Sequence, residues 1–87
     1  MKLRHLRAFV AVADVGSFVG AARELKLAQA ALSKQVAALE SELGARLFIR
    51  GPREVVLTDS GAALIGEARR MVEMSELAVS RTRAAAD

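Results

Sequence analysis

Apolar side chains at helical spacing, interrupted only by short breaks, restrict most strongly how the first 44 residues can fold. Between Leu3 and Ala13 they recur at steps of three and four residues, which predicts an amphipathic helix over residues of about 3 to 14. Gly16 can supply the left-handed turn that ends this helix, and Ser17 can cap the next one. The pattern therefore predicts two helices with a tight connection.

The next break, residues 26–28, is too short for anything except a tight turn. A third helix begins at Gln29, and Gly44 ends it. The side chains predicted to face inward are Phe18, Ala21, Ala22 and Leu25 in the second helix and Leu32, Val36, Leu39 and Leu43 in the third. A short turn between two such helices is typical of a helix-turn-helix motif.

The spacing of apolar residues changes after Gly44. Residues 46–49 and 55–57 are short runs of bulky or β-branched side chains, which predict two strands joined by a turn. Thr58 can cap a last helix that carries Asp59 in its first turn and runs for roughly 40 Å. The predicted fold is mainly α: a winged helix-turn-helix (three helices plus a two-stranded wing) over residues 1–58, followed by a long C-terminal helix over residues 59–87.

The composition excludes several kinds of site. The chain has no Cys and a single His, so disulfides, thiolate nucleophiles, zinc fingers and metal clusters are not expected. With three Phe and no Tyr or Trp, aromatic platforms for single-stranded bases are not expected either. His5 has no evident Ser or carboxylate partner and is predicted to lie on the exposed or capping side of its helix. We therefore expect neither an enzyme nor a cofactor.

Positive charge is concentrated in the first part of the chain. Residues 1–53 contain nine Lys and Arg against four acids, whereas residues 54–87 contain four Arg against six acids. The basic part predicts a polyanionic partner, although a solvated basic surface explains the charge equally well. The sequence has neither a signal-peptide core nor an apolar stretch of roughly 20 residues that could span a membrane, so we expect a cytoplasmic protein.

One side of the third helix carries the groups that reading a DNA major groove requires. The residues in this sector of about 140° are Gln29, Ala30, Ser33, Lys34 and Ala37. Gln can pair with adenine, Lys can donate to guanine, and an Ala methyl can meet the thymine methyl. An ordinary solvent-facing helix would look similar, but the position after the tight turn favours a recognition helix.

The turn between the strands supplies a second candidate contact. Arg50 and Arg53 flank Gly51 and Pro52, and Arg is favoured in a narrow minor groove because negative potential is concentrated there. We prefer the functional interpretation for Arg53, whereas for Arg50 an ordinary exposed arginine is an equal alternative.

Further candidates lie where helix N-termini can bind phosphates. They are Ser17 and Phe18 at the start of the second helix, together with Ser33 and Thr58. Ser17 and Thr58 are explained equally well as helix caps.

The last helix carries more apolar side chains than the preceding domain can cover. Such a helix needs a partner, and a homodimer would present two reading heads with two-fold symmetry. The residues predicted to form this interface are Leu64, Ala68, Met71, Val72, Leu77 and Ala78. A helix packed on a further C-terminal domain is an alternative, and a membrane-surface helix is a weaker one because acids are mixed into its polar face.

Short motifs spread along the chain form a further pattern. They are Leu6 with Phe9, Gly16-Ser17-Phe18, Ala21-Ala22, Leu25, the run from Gln29 to Val36, Leu39-Glu40, Leu43-Gly44, Leu47-Phe48, Arg50, and Leu57-Thr58 with Gly61. In this pattern the chain closely resembles the N-terminal domain of LysR-type transcriptional regulators. The resemblance implies a bacterial or archaeal transcription factor that reads an interrupted palindrome in double-stranded DNA near a promoter.

The resemblance also implies an assembly and a longer protein. The helix from Thr58 would be the linker helix through which two subunits dimerise. The implied DNA contacts are Gln29, Ala30, Ser33, Lys34 and Arg53. Family members usually continue into an effector domain that senses a small molecule and drives tetramer formation, so we expect this chain to be a DNA-binding fragment.

Three features depart from the family pattern. Ala28 stands where Ser or Thr is common and cannot cap the recognition helix, and Ala30 stands where a stiffer Pro is common. The Gly51-Pro52 pair is also unusual for a wing. Our main hypothesis is sequence-specific DNA binding by a dimer. A protein-binding winged-helix module and a nonspecific DNA binder are the alternatives.

Overall fold

Four helices and a two-stranded antiparallel sheet make up the protein. A computed structural model describes residues 1–86. The helices are α1 (Leu3–Val15), α2 (Phe18–Leu25), α3 (Gln29–Leu43) and α4 (Asp59–Ala85), and the strands are β1 (Phe48–Arg50) and β2 (Val55–Leu57). This order of elements confirms the predicted winged helix-turn-helix fold with a long C-terminal helix. Asp87, the last residue of the predicted helix, lies outside the described residues.

Local signals end and begin the first helices as the sequence predicts. Gly16 caps α1 in the left-handed conformation, with φ 84°. Ser17 Oγ accepts a hydrogen bond from the Gly20 N–H at 3.0 Å and so caps α2. The turn between α2 and α3 also needs a left-handed residue, and Lys26 supplies it with φ 57°. A lysine in this conformation is uncommon, because its Cβ atom crowds the following carbonyl oxygen.

The helices and the wing share one apolar core. Its largest fully buried side chains are Leu6, Phe9, Val12, Leu32, Val36, Leu39 and Leu47. Phe48 of β1 connects the wing to this core, since its ring packs on Phe9 at 5.3 Å and edge-on against Phe18 at 5.9 Å between centroids. Leu43 is predicted to be buried, but it is 42% exposed. That prediction is wrong because the elements packed on α3 leave its last turn open.

The wing begins later than predicted. Residues 46 and 47 are expected in the first strand, and the Leu47 carbonyl does accept from the Thr58 N–H at 3.0 Å, but two other main-chain groups of these residues are bonded to side chains. The Leu47 N–H donates to Glu40 Oε2 at 2.8 Å, and the Arg46 carbonyl accepts from the Thr58 hydroxyl at 2.6 Å. The antiparallel register pairs Phe48 with Leu57, Ile49 with Val56 and Arg50 with Val55.

The first half of α4 belongs to the same core as α1. Ala68 is fully buried there, and the partly buried apolar residues beside it are Leu64, Ile65, Met71 and Val72. Ala68 is therefore inaccessible to a second subunit, and its predicted place in a dimer interface is wrong. Residues 1–58 and the first half of α4 therefore share one core.

Gly61, in the first turn of α4, lets the helix pass close to the wing. A Cβ atom at Gly61 would lie 2.2 Å from the Leu47 carbonyl oxygen and 2.9 Å from a Leu57 methyl carbon. We predict that Gly61→Ala lowers the free energy of unfolding by about 1–3 kcal/mol, because the helix must shift away from the wing. Urea denaturation followed by circular dichroism measures this change.

Gly66→Ala, on the same helix, is the matched control. The nearest atom to a Cβ at Gly66 is Arg70 Nη2 at 3.8 Å, so an added methyl group fits. The higher helix propensity of Ala should then raise the free energy of unfolding by up to about 1 kcal/mol. Equal urea midpoints for Gly61→Ala and the unmodified chain would contradict the close contact.

Candidate nucleic-acid interface

The side of α3 that faces away from the core is accessible. Leu32, Val36 and Leu39 occupy the opposite, buried side. On the accessible side, Gln29, Ala30, Lys34 and Ala37 are exposed, and Ser33 is half-buried. This surface offers an amide, an ammonium, a hydroxyl and small side chains. It can therefore form hydrogen bonds with base edges and allow close approach of the helix backbone.

The N-terminus of α3 has no side-chain cap. Ala28 occupies the N-cap position with φ −65° and ψ 141°, and it makes no side-chain hydrogen bond. By contrast, Ser17 and Thr58 accept hydrogen bonds from the Gly20 and Gly61 N–H groups and cap α2 and α4. The first N–H groups of a helix have no intrahelical partner. Those of α3 are consequently available to an anion.

A pocket of about 160 Å³ lies between the start of α2, the start of α3 and the wing. The predicted contact residues that line it are Ser17, Phe18, Gln29, Arg50 and Arg53. The structure thus brings together candidates from three separate parts of the chain. A main-chain hydrogen bond from the Val55 N–H to the Gly16 carbonyl, at 3.0 Å, ties the wing to the α1–α2 connection.

The two predicted capping residues differ in what their hydroxyl groups can still bind. The Thr58 hydroxyl donates its only hydrogen to the Arg46 carbonyl at 2.6 Å and accepts from the Gly61 N–H at 3.0 Å. It has no hydrogen left for a phosphate, so the structure supports its role as a cap and contradicts the predicted phosphate contact. The Ser17 hydroxyl accepts from the Gly20 N–H and keeps its own hydrogen for donation.

Phe18 cannot contact a phosphate through its side chain. The residue is 6% exposed, and its ring packs against Phe48. The phosphate contact predicted at the N-terminus of α2 therefore falls to the Phe18 N–H and not to the ring. The ring instead lies beneath Arg50, whose guanidinium carbon is 4.0 Å from the ring centroid. Strand alternation, which places Arg50 on the same face of β1 as Phe48, is the signal that points to this contact.

Glu40 is a further residue that the sequence analysis does not single out as part of the site. Its side chain is 11% exposed. Its Oε2 atom accepts from the Leu47 N–H at 2.8 Å and lies 3.6 Å from Arg46 Nε. This carboxylate fixes the chain between α3 and β1. Glu40 belongs to the Leu39-Glu40 motif, but the bond itself cannot be predicted from the sequence, because it depends on how the chain after Gly44 folds back.

His5, predicted on the exposed or capping side of α1, is half-buried, so the prediction of an exposed position is wrong. Its Nδ1 atom is enclosed without a hydrogen-bond partner among the described residues. Burial lowers the pKa of His5, and the charges of Arg4 and Lys2 lower it further. Within residues 1–86, no group of three or more His, Cys, Asp or Glu side chains is arranged to hold a metal ion.

Comparison with known proteins identifies the family. The family model described as bacterial regulatory helix-turn-helix protein, lysR family, matches residues 3–62. This chain belongs to the LysR family. The match confirms the resemblance seen in the sequence motifs. The family model describes regulatory helix-turn-helix proteins, and the relatives that match this chain are named as transcriptional regulators.

Two relatives show how far the similarity to LysR-family proteins extends. The HTH-type transcriptional regulator TfdS of Cupriavidus pinatubonensis (strain JMP 134 / LMG 1197) is 47% identical over 85 residues, or 98% of this chain and 29% of that protein. The HTH-type transcriptional regulator ClcR of Pseudomonas putida is 42% identical over 85 residues, which are again 98% of this chain and 29% of that protein. The chain therefore spans 29% of the length of these relatives.

Two crystal structures with bound DNA have the same fold as this LysR-family chain. The CbnR_DBD–DNA complex aligns with a TM-score of 0.89 and 39% identity, and covers 100% of both chains. The BenM_DBD/catB site 1 DNA complex aligns with a TM-score of 0.92 and 42% identity, and covers 100% of this chain and 98% of the other. These matches confirm the winged helix-turn-helix fold together with its long last helix.

The open N-terminus of α3 leads to a prediction about stability. We expect Ala28→Ser to raise the free energy of unfolding by about 0.5–2 kcal/mol, because the new hydroxyl can accept a hydrogen bond from the first turn. Ala38→Ser, at an exposed position within the same helix, is the matched control. It should lower stability by about 0.5 kcal/mol, since Ser has a lower helix propensity and no free N–H lies nearby. Thermal unfolding measures the stability of both variants. A lower stability of Ala28→Ser would show that the first turn of α3 cannot use a side-chain cap at this position.

Proposed function

We propose that this chain binds double-stranded DNA in a sequence-specific way, with α3 in the major groove and the wing in the adjacent minor groove. The observation that carries the proposal is the pocket at the start of α3, where Ser17, Gln29, Arg50 and Arg53 converge. The DNA complexes of CbnR_DBD and BenM_DBD, which align with the whole chain, support it.

Glu54 lines the same pocket as Arg50 and Arg53 but forms no salt bridge with them, so the surface that also carries Lys34 keeps a net positive charge. The arginine salt bridges within residues 1–86 lie elsewhere and are Arg46–Glu40, Arg69–Asp14 and Arg70–Glu67. Lys34, Arg50 and Arg53 form no salt bridge within the same part of the chain. Cations that neutralise phosphates release condensed counterions from DNA. Binding through this surface should therefore weaken as the salt concentration rises.

Each candidate contact on α3 and the wing tip has a role that its chemistry allows. Gln29 can pair with adenine, Lys34 can donate to guanine, and Ala30 can approach a thymine methyl. Ser33 supplies a hydroxyl that can reach a phosphate. Arg53, exposed in the turn of the wing, is suited to a narrow minor groove.

A fluorescence-anisotropy titration at two salt concentrations tests the proposal, with a duplex selected from a random pool and a scrambled duplex. We expect the selected duplex to bind on the order of 10³-fold more tightly, with a preference that survives the higher salt. Equal, salt-sensitive binding would mean a nonspecific binder. Binding to neither duplex would overturn the proposal and favour a protein-binding module.

Lys34→Ala tests base reading within that interface. We predict that the binding free energy for the selected duplex falls by about 1–3 kcal/mol and that for the scrambled duplex falls by less, because a base contact is specific. Arg83→Ala, which removes one positive charge from the exposed end of α4 on the side away from Met74 and Leu77, should leave the preference unchanged. If Lys34→Ala instead weakens both duplexes equally and lowers the salt slope by about one, Lys34 contacts a phosphate and not a base.

We also propose that the second half of α4 joins two copies of the chain. Met74, Leu77 and Val79 are 61%, 44% and 45% exposed there. At about 100° per residue, Met74, Leu77 and Ala78 fall within roughly 100° of one another, turned away from Ala68 and hence from α1. A partner helix can cover such a stripe. Leu77 and Ala78 belong to the predicted interface, whereas Met74 is an addition from the structure.

Sedimentation equilibrium tests the dimer. We predict that the unmodified chain is a dimer. The Met74→Glu/Leu77→Glu double variant should be a monomer, because dimerisation would bury its two new carboxylates in an apolar interface. Arg83→Glu changes the net charge by the same amount on another side of α4 and should remain dimeric. A monomeric unmodified chain, or a dimer that tolerates the double variant, would contradict this interface.

A two-fold dimer would present its α3 helices to the two halves of a palindromic site. Assembly into a tetramer and sensing of a small-molecule effector by a further domain stay predictions from the resemblance, and a cytoplasmic location stays a prediction from the sequence. Within residues 1–86, no helix is long and apolar enough to cross a membrane.

A further inference from the structure

We propose that Phe18 is a positioning residue that holds the Arg50 guanidinium at the pocket between α2, α3 and the wing, where Arg50 contacts a DNA phosphate. This inference rests on the proposed DNA binding and deepens it by assigning one of its contacts. It also decides between the two interpretations of Arg50 that the sequence leaves open.

The ring of Phe18 is a fixed platform. Phe18 is 6% exposed, and its ring meets Phe48 edge-on with an interplanar angle of 76°. The Arg50 guanidinium carbon lies 4.0 Å from the centroid of the same ring. Because the core holds the ring, the contact restricts where the arginine can lie.

The strand that carries Arg50 is held by the same core. Phe48, two residues earlier in β1, is 2% exposed and packs on Phe9. Alternation along a strand places the side chains of Phe48 and Arg50 on one face. Both the backbone of Arg50 and the ring beneath its guanidinium are therefore anchored to the same aromatic cluster.

The hydrogen-bond donors of the Arg50 guanidinium are free. Arg50 forms no side-chain hydrogen bond and no salt bridge within residues 1–86. A guanidinium has five N–H donors, all in its plane. Arg50 lines the pocket that also contains Ser17 and Gln29. The in-plane donors match the geometry of phosphate oxygens.

The position of Arg50 favours a phosphate over a base edge. Arg50 ends β1, whereas Arg53 lies in the exposed turn that follows. A side chain held on a ring at the start of the turn cannot extend freely into a groove, but Arg53 can. We therefore expect Arg50 to strengthen binding to all sequences alike.

A double-mutant cycle tests the coupling, with Phe18→Leu, Arg50→Ala and the double variant titrated against the selected and scrambled duplexes. Arg50→Ala should weaken both duplexes by the same factor and lower the salt slope by about one. Phe18→Leu keeps apolar bulk but removes the ring, and it should weaken both duplexes by about two- to fivefold. In the Arg50→Ala background, Phe18→Leu should cause no further loss.

Leu6→Ala is the control for a general effect of the core. Leu6 is 1% exposed near the start of α1, whereas the wing is attached beyond the other end of this helix, at Gly16. The variant should therefore lower thermal stability but leave the DNA affinity of the folded chain unchanged. Equal losses of affinity from Phe18→Leu in the two Arg50 backgrounds would overturn the inference. So would a loss of affinity from Leu6→Ala as large as that from Phe18→Leu.

A measurement without DNA separates this inference from the proposed function. In proton NMR, the ring current of Phe18 should shift the Arg50 side-chain signals upfield, and Phe18→Leu should remove the shift. Unshifted signals in a chain that binds DNA would overturn the positioning role alone. If the signals are shifted but the chain binds neither duplex, the contact between Phe18 and Arg50 stands. The phosphate contact and the proposed function are then both overturned.

Discussion

The wing depends on the packing of Phe48 between Phe9 and Phe18. Each strand of the wing has only three residues, and a hairpin of that size is not stable by itself in water. Phe48 supplies the missing stabilisation by burying its ring among helical residues. The main-chain bond from Val55 to Gly16 adds a second attachment. The orientation of the wing relative to the helices is thus set by the core and not by the hairpin itself.

The parts of the fold that the sequence predicts well are those that depend on neighbouring residues. Gly16, Ser17 and Gly44 end or begin helices through their own conformation or side chain, so the helix boundaries lie within a residue or two of the predicted ones. Burial depends instead on what another element covers. Leu43 and Ala68 both lie on apolar stripes, yet Leu43 is exposed and Ala68 is buried, because α1 covers α4 there while the last turn of α3 is left open.

In the candidate site, too, the features set by one element can be predicted from the sequence, and those set by contacts between elements cannot. The accessible side of α3, with Gln29 and Lys34, can be predicted from helical geometry alone, because one helix determines it. The contact of Arg50 with Phe18 joins two elements, and the bond from Leu47 to Glu40 joins α3 to the chain that precedes β1. Such contacts depend on tertiary packing that periodicity does not describe. The amino-acid composition narrowed the prediction of the site mainly by making thiol nucleophiles, metal clusters and aromatic platforms for bases unexpected.

The absence of a side-chain cap at Ala28 affects the dynamics of the domain as well as its stability. In α2 and α4, a hydroxyl oxygen holds a first-turn amide, so exchange of that amide hydrogen with water requires the cap to open. In α3 the first turn can fray locally, without unfolding of the core beneath it. An anion bound there would take the place of the cap and slow the exchange of those amides. Hydrogen exchange at the start of α3 would thus report directly on occupancy of the surface beside Gln29.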